Sequence, residues 1–175
     1  MNSNALFEEV VVFLIKEIEG GEVDDASDAG GHTKYGISQK AFPDIDISNL
    51  SMQEAISIYR CEYWDRYHCA SLPPCLAVFL FDSVVNHRPK TAVRLLQSAL
   101  QAGLKYDGIM GSKTIRACNT AFDLDVVLIN ALAARAQLYH DIVQCNSSQA
   151  KFLRGWFSRL FKVHNFIKVV SSRRD

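Results

Sequence analysis

The chain has 175 residues, 49% of them hydrophobic and 22% charged, enough to build a real core and too apolar for a disordered segment. Nineteen basic residues balance nineteen acidic ones, which leaves little long-range pull on a polyanion and makes nucleic acid a poor candidate partner. The balance is uneven along the chain: residues 1–65 hold thirteen acidic against four basic side chains, and residues 66–175 hold six against fifteen. A basic half could hold an anionic surface, or the two halves could attract one another.

The first residues carry Glu8 and Glu9 ahead of the apolar run and Lys16 within it, so they lack the basic start and cleavage site of a signal peptide. No segment approaches the ~18 apolar residues of a membrane span. Synthesis in the cytoplasm is expected, with work outside it dependent on a holin-type or other release protein. Five cysteines, Cys61, Cys69, Cys75, Cys118 and Cys145, show no metal-binding spacing, and free thiols are expected.

Leu6 to Ile18 reads as a buried helix, with Phe7, Val10, Val11, Leu14 and Ile18 on one face and Val12, Phe13 and Ile15 largely closing the other. Gly20 and Gly21 then supply the conformation that ends helices. Glu19 is thereby expected at the negative end of the helix dipole, where burial and dipole both raise a carboxyl pKa. A carboxyl kept protonated near neutral pH is a general acid.

The stretch Glu19 to Ser38 spends five glycines in twenty residues. It is expected to run out through Glu22–Asp24, turn through Ser27–Gly31, and return along Thr33–Ser38, bringing Asp28 and Thr33 back towards Glu19. One protonated acid facing a solvated carboxylate and a hydroxyl is the arrangement that cleaves a glycosidic bond. A calcium loop fits worse, since a frame starting at Asp24 puts Ala26 and Tyr35 at ligand places and Ala29 where the turn glycine belongs. No metal or cofactor is expected.

The run E-G-G-x6-D-x-G-G-x-T-x2-G-I-S resembles the signature of the glycoside hydrolase 108 family, bacterial and phage N-acetylmuramidases with a lysozyme-like fold. The order Glu19, Asp28, Thr33 also resembles the catalytic glutamate, aspartate and threonine of phage-type lysozymes, with Thr33 one residue closer to its aspartate. The resemblance implies a catalytic role for Glu19, Asp28 and Thr33, with His32 and Tyr35 beside them as substrate-binding candidates.

Beyond an irregular connection, Ser51-Met52-Gln53-Glu54 forms a capping box that opens a helix to about His68. Its Tyr59-x3-Tyr63-Trp64 resembles the family's Y-x3-Y-W, and Tyr63 or Trp64 is the candidate to stack on a sugar, against a core role for aromatics at helical spacing. Leu72-Pro73-Pro74 opens the next helix, whose end, Phe81-Asp82-Ser83-Val84-Val85-Asn86, is similar to the family's F-D-x-A-V-N. Asn86 could bind an N-acetyl group or cap the helix. His87-Arg88-Pro89 makes the following loop bulkier and more basic than in the family.

The helix from Pro89 is expected to end at Gly103. The pattern L-Q-x-A-L followed by Asp107-Gly108-x2-Gly111-x2-Thr114 resembles the peptidoglycan-binding-like part of the same family. Asp123 or Asp125 should cap a long helix to about Cys145, broken by Asn146-Ser147-Ser148. In the last helix Phe152-x2-Gly155-Trp156-x2-Arg159 is similar to the family's F-x2-G-W-x2-R, with Gly155 expected to allow close helix approach.

The expected architecture is mainly α, a lysozyme-like helical fold with a short β-ribbon after the first helix. Residues 1–86 would be the catalytic part and 87–175 a helical peptidoglycan-binding-like part. By resemblance the chain is a monomeric muramidase of peptidoglycan. The alternatives are a wall-binding or secretion-assisting module without catalysis, and a lytic transglycosylase, which needs one glutamate and no second carboxylate.

Overall fold

The computed structural model describes residues 2–19 and 32–173, except for the side chains of Ile18 and Glu19. The chain divides into two compact units, Met1–Arg66 and Tyr67–Asp175. Among the described residues it is mainly α, with a two-stranded antiparallel ribbon after the first helix, as expected.

In the first unit, α1 (Ser3–Phe13) starts where the Asn2 side chain accepts a hydrogen bond from the Ala5 amide at 2.8 Å. Leu6, Phe7, Val10, Val11, Leu14 and Ile15 are buried. Val12 and Phe13 are only half-buried, and Lys16 and Glu17 are exposed, so the helix is apolar towards one side rather than all round. After Phe13 the backbone widens into a π-helical segment, Leu14–Glu19. A wider turn shifts every later side chain around the axis relative to the 3.6-residue repeat expected from the sequence.

The return strand expected over Thr33–Ser38 is instead a hairpin in itself. Strand β1 (Thr33–Lys34) pairs with β2 (Ile37–Ser38) in the register Thr33–Ser38 and Lys34–Ile37. Tyr35 and Gly36 make the two-residue turn with φ of 53° and 77°, the left-handed pair that matches strand twist. The expected outward strand, Glu22–Asp24, and the Ser27–Gly31 turn lie outside the described residues.

Helix α2 (Met52–Tyr59) opens on the expected capping box: Ser51 Oγ accepts from the Glu54 amide, and the Glu54 carboxylate accepts from the Ser51 amide. It too widens into a π-helical segment, Arg60–Asp65. Arg60 lies 4.0 Å from the centre of the Phe7 ring and reaches Asn4 and Glu8, so one side chain ties this segment to α1. Left-handed His68, at φ 54°, follows as the first of a new turn.

The second unit is built round α3 (Pro74–Asn86), in which every residue from Leu76 to Val84 is buried. Helices α4 (Pro89–Leu100), α6 (Leu124–Cys145) and α7 (Leu153–Ser172) pack against it, and this is why α3 falls with the residues after it. The family-like seam near residue 87 and the packing seam after Arg66 therefore differ. Asp123 is the cap of α6, its Oδ1 accepting from the amides of Asp125 and Val126 at 3.0 Å. Asn146 ends α6 and caps the short 3-10 turn Ser147–Phe152. Leu160, Val163, Ile167 and Val170 form the buried stripe of α7.

Helix α5 (Ser112–Asn119) is joined to α4 by a polar knot. The Gln97 amide nitrogen lies 2.9 Å from Asp107 Oδ1, 3.1 Å from Thr114 Oγ1 and 3.2 Å from the Ile109 carbonyl, and its oxygen accepts from the Gly108 amide. Gly108, at φ 77°, passes so close to Lys90 that a Cβ would sit 2.6 Å from the Lys90 carbonyl oxygen. Gly155, by contrast, faces open space, which corrects the expectation that it admits a neighbouring helix. Among the described residues no disulfide joins the five cysteines; burial pushes the Cys118 thiol up to about 12, where it stays protonated and inert.

Candidate active site

Glu19 is the last residue of the Leu14–Glu19 π-helical segment. Single π turns within helices occur often at functional sites, because they re-aim a side chain without ending the helix. The expected rise in the Glu19 pKa concerns a side chain outside the described ones, and Asp28 also lies outside the described residues.

The hairpin carries the next three candidates together. Thr33 begins β1 and is half-buried. His32 precedes it, its Nδ1 sharing a hydrogen bond with Ser48 Oγ at 3.3 Å. Tyr35 holds the strained first turn position, and its carbonyl accepts a hydrogen bond from the Tyr59 hydroxyl at 2.9 Å. A bulky residue at positive φ is costly, and this bond from α2 helps to hold it there. Lys34 reaches across to the Ser48 carbonyl at 3.0 Å, so the hairpin is anchored to the 39–50 connection on two residues. That connection is itself fixed by Gln39, whose amide lies within 3.3 Å of the carbonyls of Phe42, Pro43 and Ile45.

The aromatic candidates separate. Tyr63 is half-buried, its ring 5.8 Å from that of Tyr59. Trp64 is wholly buried and meets Phe7 edge-on at 5.5 Å, so it belongs to the core and offers no face for a sugar, correcting the expected stacking role. Asn86 is the last residue of α3, in the second unit, with its Nδ2 3.3 Å from His87 Nε2; the capping residue itself is His87.

A second polar centre was not foreseen. Asp82, 2% exposed, pairs with fully buried Arg135 and with Arg159, whose Nε donates to Asp82 Oδ1 at 2.9 Å. Arg135 Nε also donates to the Tyr139 hydroxyl at 2.7 Å. Burial pushes the Asp82 carboxyl up, but Arg159 and Arg135 together outweigh it and hold the pKa below the ordinary value. Burial, with Arg135 acting in the same sense, lowers the neighbouring His87 to about 4. The sequence did carry a signal: Asp82 is the one charge in the apolar run from Leu76 to Val85.

A mainly α chain whose first helix delivers a glutamate to a glycine-rich stretch and a short hairpin is of the lysozyme-like class. Residues 13–87 match the family described as glycosyl hydrolase 108, and residues 91–161 match the one described as a predicted peptidoglycan domain. The chain is thus similar to glycosyl hydrolase family 108 over residues 13–87 and to a predicted peptidoglycan domain over the residues behind them. Among solved structures it is similar to SagA of Brucella abortus, with 26% identity, a TM-score of 0.81 and 98% of each chain covered. No curated protein matches it. Together the two matches support a peptidoglycan hydrolase.

Proposed function

We propose that the chain is an N-acetylmuramidase that hydrolyses the β-1,4 link between N-acetylmuramic acid and N-acetylglucosamine, with Glu19 as the general acid. The observation that carries this reading is that the hydrolase family match starts at Phe13 and runs through Glu19, Asp28 and Thr33. Glu19 gives its proton to the glycosidic oxygen as that bond breaks. Asp28 orients the attacking water or stabilises the oxocarbenium-like carbon, and Thr33 assists it. Water supplies the hydroxyl on the anomeric carbon and replaces the proton that Glu19 gave up. His32, Tyr35 and Tyr63 are the proposed contacts to sugar. The enzyme acts on the wall after release from the cytoplasm.

The test is clearing of purified murein with mass spectra of the fragments. The wild type is expected to leave reducing N-acetylmuramic acid ends, and Glu19→Gln to slow clearing by about 10²–10⁴-fold. Anhydro-muramyl ends would assign a transglycosylase instead. Binding without clearing by either form would leave a wall-binding module.

A further inference from the structure

The second unit holds a cavity of about 590 Å³ between the end of α4, helix α5 and the 120–122 turn. Its wall has two chemistries. Leu100, Leu104, Ala117 and Phe122 supply an apolar side, with the Phe122 ring entirely in water at 106% relative exposure. That ring stands at the edge of the cavity as an open apolar surface.

The other side is cationic. Lys113 and Arg116, three residues apart on α5, line the same cavity, so both project from neighbouring positions of one helix face. Among the described residues neither side chain enters an ion pair or a hydrogen bond, whereas Arg60, Arg66, Arg135 and Arg159 all do. From Arg88 to Phe122 the chain carries six basic residues and a single acid, Asp107. The Asp107 carboxylate is already engaged by Gln97 and the Ile109 amide. The ligand that suits this wall is a small anion with short apolar side chains.

We propose that this cavity binds the acidic stem peptide of peptidoglycan, its free carboxylates on Lys113 and Arg116 and its alanine methyl groups against Leu104 and Phe122. The inference rests on the wall being the substrate and adds which part of the wall the second unit reads. Peptide-bearing glycan is thereby held by a site of its own, separate from the residues proposed for cleavage.

The test is isothermal titration of the full chain with a sugar-free stem tetrapeptide, with the same peptide after amidation of its carboxylates, and with phosphatidylglycerol vesicles. Wild type is expected to bind the free tetrapeptide, and K113E/R116E to bind it about tenfold or more weakly. Amidation should weaken wild-type binding similarly, and Phe122→Ser should weaken binding with both carboxylates intact. Equal affinity of wild type and K113E/R116E for the tetrapeptide overturns the proposal, as does binding of the vesicles but not the peptide. Titration needs no cleavage and is repeated with Glu19→Gln: a catalytic reading that failed would leave this readout intact, and the reverse.

Discussion

Replacing Asp82 by Asn tests whether the second unit depends on one buried charge. Asn keeps the shape but leaves Arg135, fully buried, and Arg159, 12% exposed, with no carboxylate at Asp82 to pair with. Removing one partner of a buried ion pair typically costs about 3–5 kcal/mol, because the remaining charge stays desolvated. In a chain of this length each kcal/mol moves the melting temperature by about 2–4 °C, so a fall of roughly 6–20 °C is expected at pH 7. Near-ultraviolet circular dichroism is the suitable probe, since Tyr139 contacts Arg135 and also packs on Trp156 and Phe157. Adding Arg135→Met to Asp82→Asn removes the orphaned charge and should restore at least about 1 kcal/mol. A loss below about 1 kcal/mol for Asp82→Asn, or strictly additive effects in the pair, would refute the argument. Because the folded Asp82 pKa lies below its unfolded value, this stabilisation is complete above the ordinary value of 3.8 and fades as pH falls through the lower folded value.

His87 acts at a higher pH. Its folded pKa of about 4 lies below the ordinary 6.5, so the unfolded chain takes up the proton first and stability falls as pH drops from 6.5 towards 4, by up to about 3 kcal/mol. Urea unfolding across that range should flatten in His87→Gln, and an unchanged pH profile would remove the linkage. Gly108→Ala should cost about 2–4 kcal/mol, from the left-handed φ and the clash with the Lys90 carbonyl. Gly155→Ala, in a helix and facing open space, should instead gain about 0.5–1 kcal/mol by thermal melting.

The features legible in the sequence are those written within a few residues of one another. The Ser51–Glu54 capping box and the Asp123 cap join a side chain to a backbone amide two or three positions away, so spacing alone states them. The two π-helical segments are different, since apolar periodicity assumes a 3.6-residue turn and cannot reveal where the turn widens. Tyr35 escaped for a similar reason: the left-handed turn is usual for Asn or Gly, and its support comes from Tyr59, twenty-four residues on. Trp64 carries no local sign of whether its ring faces sugar or Phe7. At the candidate site, the sequence reads Thr33 and Tyr35 on one returning strand, which the structure folds back into a hairpin in itself, while the Glu19 side chain and Asp28 lie outside the described residues.

Long-range partners account for the rest, and they change what the family-like motifs mean. The F-D element and the G-W-x2-R element meet as Asp82 and Arg159, which makes their recurrence a matter of burying one ion cluster. The L-Q-x-A-L and D-G-x2-G-x2-T elements meet through Gln97, Asp107, Gly108 and Thr114, which makes theirs a matter of tying α5 to α4. Tyr59 and Trp64 of Y-x3-Y-W serve the Tyr35 turn and the Phe7 contact. A chain could keep all three and still have lost its chemistry, because each is needed for packing whether or not a bond is cut. Evidence for catalysis must therefore come from Glu19 itself, which is why Glu19→Gln, keeping size and hydrogen bonding while removing the acidic proton, discriminates where those motifs do not.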